Sequence, residues 1–204
     1  MMTIMRRAIR SVAASLAVLG FLTAGAPADE TTPAEVKAKA EQAAEALAEG
    51  KQPPADATIS KDEAEAVDPQ GQEEVEGPLV CLARAVYWES KGEDREDMRA
   101  VAAVVLNRLA SEEFPDDICA VVKDGGEAKS CQFGWWCDGK SDKVEDQESY
   151  AMAKEVAATA INGELSDPTE GALFFHRTAA KLDWTDKYKK TVTLGPHVFY
   201  TLKK

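Results

Sequence analysis

Glu89 carries the clearest chemical signal of this 204-residue chain, because it is a carboxylate at a position where an apolar residue is expected. Read as a helix, the segment 79–92 places Leu82, Val86 and Glu89 on one face, at i, i+4 and i+7. Glu89 would also lie in the last turn, beside the negative end of the helix macrodipole. Burial and the dipole both raise the pKa of a carboxyl group toward the range that a general acid needs. The pattern therefore predicts an acid catalyst at this residue.

A second catalytic carboxylate is not evident near Glu89. Cleavage of a glycosidic bond by the usual routes uses two carboxylates that flank the sugar. Glu93 follows only one turn later, and Asp138 comes just after a segment bounded by two cysteines. One carboxylate suffices when a hydroxyl of the substrate replaces water, because the same group can give one proton and then take another. For a glycan substrate, the sequence is therefore compatible with a single-acid reaction.

The segment 132–136 is a second candidate site element, since it combines a glutamine, a glycine and two adjacent tryptophans. Trp135 and Trp136 could form a platform for pyranose rings, with Gln132 and Phe133 as neighbouring substrate contacts. The alternative is that each tryptophan closes the core beneath a disulfide-bonded loop.

Tyr87 and Tyr200 are two further candidates for substrate binding. Tyr87 lies two residues before Glu89, and Tyr200 lies in the last predicted strand. Their hydroxyl groups could donate to sugar or carboxyl oxygens, and both rings could equally belong to the core.

Cys81, His176 and His197 support a rival enzyme class. A cysteine near a helix start, followed by histidines on later strands, has the order of a papain-like peptidase. A zinc amidase would also need the two histidines, but no HExxH or comparable short spacing occurs. Structural histidines, with His197 packing near the site, are the simpler interpretation.

The four cysteines, Cys81, Cys119, Cys131 and Cys137, predict two disulfides if the protein is exported. Three pairings are compatible with the sequence. A four-cysteine zinc site is the alternative, although such sites usually contain close CxxC pairs.

The elements that must position these residues form an α+β pattern. Apolar periodicity predicts helices over 94–110 and 147–161 and a shorter one around 117–122. After Pro168, residues 173–176 and 191–202 are rich in β-branched and aromatic residues and are interrupted by Gly195-Pro196. We therefore expect a mostly helical domain over 77–204 with a small C-terminal β-sheet.

The first 28 residues have the order of a secretory signal peptide. Three arginines precede an apolar run over 12–22, and Ala26-Pro27-Ala28 provides a small-x-small cleavage signal. An uncleaved anchor is the alternative, although the run is short for a membrane span. Either way we expect a periplasmic or secreted protein.

Residues 29–76 are predicted to be an acidic linker. Asp and Glu outnumber Lys and Arg by 14 to 4 in this tract, which accounts for most of the formal net charge of −12. It contains no aromatic residue and should be largely disordered, with a helix over 33–49 opened by the capping box Thr32-Pro33-Ala34-Glu35. An envelope protein could bind this linker, and the domain lacks the basic stripe that would indicate a nucleic-acid partner.

The motif series of residues 79–200 resembles the SleB/CwlJ-type cell wall hydrolases. That family carries approximately Y-x-E-A-R-G-E, N-R, F-P, Q-F-S, D-G and I-G-x-H-x-F-Y. In the same order this chain has YWESKGE (87–93), AAVVLNR (102–108), FPD (114–116), CQFGWWCDG (131–139) and GPHVFY (195–200). The departures are Ser90, Lys91, Gly134 and Pro196, and all but the first leave substrate contacts open.

This resemblance implies a lysozyme-like catalytic domain that cleaves peptidoglycan glycan strands, with the family's acid falling on Glu89. A lytic transglycosylase that acts on the bond between N-acetylmuramic acid (MurNAc) and N-acetylglucosamine (GlcNAc) combines this implication with the single carboxylate. Such an enzyme would need no cofactor, and we expect a monomer. A hydrolytic muramidase, an amidase or peptidase of the stem peptide and a non-catalytic glycan-binding module are the alternatives.

Overall fold

The computed structural model describes residues 31–126 and 131–203, so the predicted signal peptide over 1–28 lies outside it. The α-helices are α1 (Pro33–Ala48), α2 (Lys61–Ala66), α3 (Pro78–Glu89), α4 (Arg95–Leu109), α5 (Ile118–Lys123) and α6 (Gln147–Ile161). The strands are β1 (Phe174–Arg177), β2 (Lys189–Leu194) and β3 (His197–Thr201). The predicted α+β class with a small C-terminal sheet is confirmed.

The central element of the domain is α3, which packs against α1, α4, α5 and α6. Every residue from Pro78 to Tyr87 is buried. The helix therefore has no solvent-facing side along most of its length, whereas the sequence pattern predicted a single apolar face. Only Trp88 and Glu89, at its C-terminal end, are partly accessible.

Local capping sets the start of the two long helices that flank α3. The Asp94 side chain accepts hydrogen bonds from the amides of Glu96 and Asp97, and α4 begins at the next residue. Asp146 caps α6 in the same manner. Both helices lie within a residue of their predicted bounds because the caps are encoded locally.

The C-terminal sheet is antiparallel, with strand order β1-β3-β2. Phe174 pairs with Tyr200 and Arg177 pairs with His197 across β1 and β3. Gly195 makes the turn before β3 with a φ of 49°. The sheet packs on α4 through Phe199, which contacts Ala100 and Val104 in a small apolar cluster. The register of β3 thereby directs His197 toward α4.

The prediction of a largely disordered linker is wrong for residues 31–76. Helix α1 starts at the predicted capping box and buries Val36, Ala40 and Ala43 in the main core. The prediction required large apolar residues for packing, but alanines allow close approach of helices, and here they bury α1 against α3 and α6. Residues 31–203 form one compact unit.

A buried polar network also joins this N-terminal segment to the rest of the domain. Arg84 on α3 donates to Asp68 at 2.6 Å, and both side chains are about 1% exposed. The Tyr150 hydroxyl donates to the same carboxylate at 2.9 Å. Lys154 donates to the backbone carbonyls of Glu65 and Val67. Together these bonds hold the segment before α3 in place.

Two disulfides are present, as predicted. Cys81 is bonded to Cys119 and so links α3 to α5, while Cys131 is bonded to Cys137 and closes a short loop. Within residues 31–126 and 131–203, none of the helices has the length and apolar character needed to span a membrane.

Candidate active site

A cleft of about 600 Å³ opens at the C-terminal end of α3, between α4 and the sheet. Glu89 and Arg108 lie on its helical side, and His197 and residues of β1 line the side of the sheet. Among the described residues that line this cleft, Glu89 is the one carboxylate. The cleft therefore brings the predicted acid together with cations and aromatic rings.

The carboxyl group of Glu89 has a strongly raised pKa. Burial raises its pKa from the ordinary value of 4.5 to about 7, and the nearby Asp97 charge contributes in the same direction. His197, Arg177 and Arg108 oppose this change because cations favour the carboxylate. Near neutral pH the group is consequently divided between its protonated and ionised forms, as a proton-transfer catalyst requires.

Arg108 is a buried cation in the same cleft. Its guanidinium carbon lies 5.1 Å from the ring centroids of both Phe114 and Phe133. Its Nε donates to the carbonyl of Leu173 at 2.8 Å, whereas its buried Nη1 has no hydrogen-bond partner among the described residues. Burial lowers its pKa to about 10, which still leaves it charged near neutral pH.

Arg108 was missing from the residues predicted for the site. A signal was available, because Val101, Val105 and Arg108 repeat on α4 the i, i+4, i+7 spacing that singled out Glu89 on α3. The reasoning that identified Glu89 as a candidate site residue therefore applies equally to Arg108.

Asp97 and His197 form a buried pair beside Glu89. Asp97 lies in the first turn of α4, and His197 opens β3. The Nδ1 atom of His197 lies 2.7 Å from an oxygen of Asp97, and the two side chains are only 1% and 2% exposed. The ring of His197 also reaches the cleft wall. Sequence analysis did not identify this pair, because its two residues lie 100 positions apart in the chain.

An aromatic wall, formed by Phe174, Trp184 and Tyr188, faces the cleft opposite the helices. The rings of Phe174 and Tyr188 lie 4.2 Å apart, and Trp184 lies 6.3 Å from Phe174. Trp184 and Tyr188 belong to the segment between β1 and β2. This segment has no regular periodicity, so sequence analysis did not predict where the two rings lie. Trp184 and Tyr188 flank a single 3-10 turn, which brings both rings to the same wall.

A family model described as Cell Wall Hydrolase matches residues 92–200 of this chain. The chain belongs to the cell wall hydrolase family. The matched region includes Arg108, Gln132 and His197, and it begins three residues after Glu89.

Curated relatives agree with this family. The spore cortex-lytic enzyme of Bacillus subtilis (strain 168) is 34% identical over 122 residues, which cover 59% of this chain and 36% of that protein. The spore cortex-lytic enzyme of Oceanobacillus iheyensis is 34% identical over 132 residues, covering 64% of this chain and 43% of that protein. The chain thus spans less than half the length of these relatives. The catalytic domain of the Bacillus cereus SleB protein is a similar solved structure, with 31% identity and a TM-score of 0.49 over 61% of this chain and 89% of that one.

In this member of the family, the predicted residues Gln132 and His197 do line the cleft with Glu89. Gln132 is exposed and available to a ligand. Phe133 instead lies fully buried beneath Arg108, so its contact is with the guanidinium group and not with the open cleft.

Tyr87 and Tyr200 are not brought to the cleft as sequence analysis expected. Tyr87 is fully buried, and its hydroxyl accepts hydrogen bonds from the amides of Glu145 and Asp146, both at 3.1 Å. The hydroxyl of Tyr200 is bonded to Nε2 of His176 at 3.0 Å. Both tyrosines therefore hold the structure around the site, since their polar ends already have protein partners.

The predicted platform residue Trp135 lies in a different cleft. It stacks on Trp88 at a centroid distance of 6.5 Å, in a cleft of about 310 Å³ that also contains Asp138. Trp88 and Glu89 are adjacent on α3 and so point in different directions around the helix. The tryptophans of the 132–136 segment consequently do not form the wall opposite the acid.

The cysteine-peptidase alternative is wrong for this structure, because Cys81 is fully buried and bonded to Cys119. The carboxylates considered as partners of Glu89 do not line the cleft and have cationic partners of their own: Glu93 pairs with Arg177 at 3.1 Å, and Asp138 pairs with Lys140 at 3.1 Å. Within the described ranges, no cluster of three or more His, Cys, Asp or Glu residues could hold a metal ion.

Proposed function

We propose that this protein cleaves the glycan strands of peptidoglycan as a lytic transglycosylase, with Glu89 as general acid and base. The observation that carries the proposal is the position of Glu89 as the single described carboxylate of a cleft that raises its pKa to about 7. A carboxyl group with such a pKa can give and take a proton near neutral pH.

The reaction needs two proton transfers at one residue. Protonated Glu89 donates to the glycosidic oxygen while the bond between that oxygen and C1 of MurNAc breaks, which releases the GlcNAc hydroxyl. The C6 hydroxyl oxygen of the same MurNAc then bonds to C1, and its proton passes to the Glu89 carboxylate. The product is a 1,6-anhydro sugar, and Glu89 regains its proton, so no water is consumed.

The cations of the cleft support the first transfer. When Glu89 gives up its proton, a carboxylate forms in a partly buried site, and Arg108 and Arg177 both favour that charge. Arg108 keeps its position through its bond to the backbone of Leu173 and its packing between Phe114 and Phe133. A charge that is fixed before the reaction requires little reorganisation when the carboxylate forms.

The aromatic wall supports binding of a sugar polymer. Trp184 and Tyr188 present apolar ring surface toward the cleft, and such rings pack against the apolar faces of pyranoses. Gln132 adds an exposed amide that can both donate and accept hydrogen bonds. We assign the sugar platform to Trp184 and Tyr188.

A location in the periplasm or outside the cell fits this substrate. The motif over 1–28 is typical of a signal peptide, and disulfides such as Cys81–Cys119 persist in oxidising compartments. We propose that the folded protein begins shortly after this peptide and includes the helical segment before α3.

Incubation of the protein with purified peptidoglycan, followed by mass spectrometry of the soluble products, tests the proposal. The Glu89→Gln variant should release no product, and the matched variant Glu112→Gln, which removes an exposed carboxylate outside the cleft, should retain activity. Anhydro-muropeptides from the wild type support lytic transglycosylation. Products with reducing ends would instead indicate a hydrolytic muramidase, and free stem peptides from the Glu89→Gln variant would refute the proposal.

A further inference from the structure

The Asp97–His197 pair is a buried charged group of the cleft to which the proposed reaction gives no role. Its two residues are 100 positions apart and meet only because β3 packs against the start of α4. One carboxylate oxygen of Asp97 lies 2.7 Å from Nδ1 of His197. The other Asp97 oxygen is buried and has no partner among the described residues. Capping of α4 does not explain the pair, because Asp94 supplies the cap.

The geometry determines how the imidazole is oriented. Because a carboxylate accepts hydrogen bonds, Nδ1 of His197 must carry the hydrogen that points to Asp97. Nε2 is then the ring nitrogen left for other partners. A histidine held through Nδ1 by a buried carboxylate has a defined tautomer and a defined direction.

We propose that the Asp97–His197 pair is a positioning pair that controls the pH range over which Glu89 keeps its proton. This inference rests on the proposed function, in which Glu89 must be protonated before the bond breaks. The pair carries one negative charge when the imidazole is neutral and no net charge when it is protonated. Its charge state therefore changes the potential at a neighbouring carboxyl group without contact with the substrate.

The charged groups that face Glu89 come from three elements. Arg108 and Asp97 belong to α4, Arg177 belongs to β1, and His197 belongs to β3. Asp97 raises the pKa of Glu89, whereas the other three lower it. The Asp97–His197 pair therefore joins one group that raises the pKa of Glu89 to one that lowers it.

Variants at the pair separate its electrostatic effect from a merely structural one. His197→Gln removes the ring that lowers the pKa of Glu89 but leaves a polar group, so the opposing effect of the Asp97 charge remains. Glu89 should then hold its proton to higher pH, and the basic limb of kcat/KM should move up by about one pH unit. Adding Asp97→Asn to this variant removes the negative charge, and the limb should return toward lower pH.

Carbon-13 NMR of glutamate-labelled protein provides a readout that does not depend on turnover. The resonance absent from Glu89→Gln identifies the Glu89 carboxyl carbon. Its titration midpoint should move to higher pH in His197→Gln and return toward lower pH in the double variant. Asp68→Asn is the matched control, because it also neutralises a buried, ion-paired aspartate but lies outside the cleft. Its Glu89 titration should equal that of the wild type.

An unchanged Glu89 titration in the folded His197→Gln protein and in the folded double variant would overturn the inference, whatever the activity of the two variants. Cleavage of peptidoglycan by Glu89→Gln would instead overturn the proposed function, while the titration would still decide the role of the pair. The two failures are therefore distinguishable.

Discussion

Replacing Glu89 by Gln should stabilise the folded protein at alkaline pH, although it removes the proposed acid. The pKa of Glu89 is raised from 4.5 to about 7 in the folded protein, chiefly by burial. Below pH 4.5 the carboxyl is protonated in both the folded and the unfolded chain, so it has no effect on the free energy of unfolding. As the pH rises toward 7, the unfolded chain releases this proton first, and the wild type loses stability.

The size of this effect follows from the two pKa values. A difference from 4.5 to about 7 corresponds to about 3 kcal/mol at pH values above both. Because Glu89 is only partly buried, this figure is an upper bound. Gln fills the same volume and never ionises, so Glu89→Gln should recover most of the loss. With a urea dependence of about 2 kcal/mol per molar for a domain of this size, the unfolding midpoint should rise by at most about 1.5 M.

Urea unfolding with both disulfides intact, followed by circular dichroism at about pH 4 and about pH 9, measures this difference. The matched control is Glu112→Gln, which removes the same charge at an exposed position. We expect the stabilisation of Glu89→Gln to be absent at the acidic pH, to grow through neutrality and to level off above it. Equal midpoints for Glu89→Gln and the wild type at the alkaline pH would refute the burial of the carboxyl and with it the physical basis of the proposed acid.

Three further predictions concern the groups around the site and the core. Arg84→Met should lower the free energy of unfolding by about 3–5 kcal/mol, because the Asp68 carboxylate stays buried without its cation; urea unfolding measures this loss. Trp184→Ala should raise KM for peptidoglycan about fivefold to tenfold through loss of ring surface in the cleft, whereas Trp135→Ala should change KM little. Arg108→Gln should move the basic limb of kcat/KM up by about one pH unit, because a neighbouring cation that lowers the pKa of the proposed acid is lost.

Each of these outcomes has a result that would contradict it. Arg84→Met should be compared with Lys37→Met, whose exposed pair with Glu73 contributes less than about 1 kcal/mol. Equal losses of unfolding free energy in the two variants would show that the buried network contributes no more than an exposed ion pair. A larger KM effect in Trp135→Ala than in Trp184→Ala would place the sugar platform in the other cleft. An unchanged basic limb of kcat/KM in Arg108→Gln would show that the Arg108 charge does not lower the pKa of Glu89.

Much of the fold could be predicted because short stretches of sequence determine where its helices begin and end. Apolar periodicity and the Asp94 and Asp146 caps define α4 and α6, and the Thr32 capping box marks the start of α1. These signals act within one or two turns of the chain, so they need no knowledge of the tertiary structure. The burial of α1 could not be predicted from them, since alanines are equally suited to an exposed helix and to a close helix contact.

The sequence by itself determined that a carboxylate continues the apolar face of α3, that four cysteines can pair, and that the tail forms strands. Only the tertiary structure decided which groups surround Glu89. Arg108, His197 and Trp184 come from separate elements, and Asp97 meets His197 across 100 residues of chain. Periodicity reports which side of one element is buried, but it contains no information on which other element covers that side. The partners of the acid therefore follow from the packing of α3, α4 and the sheet.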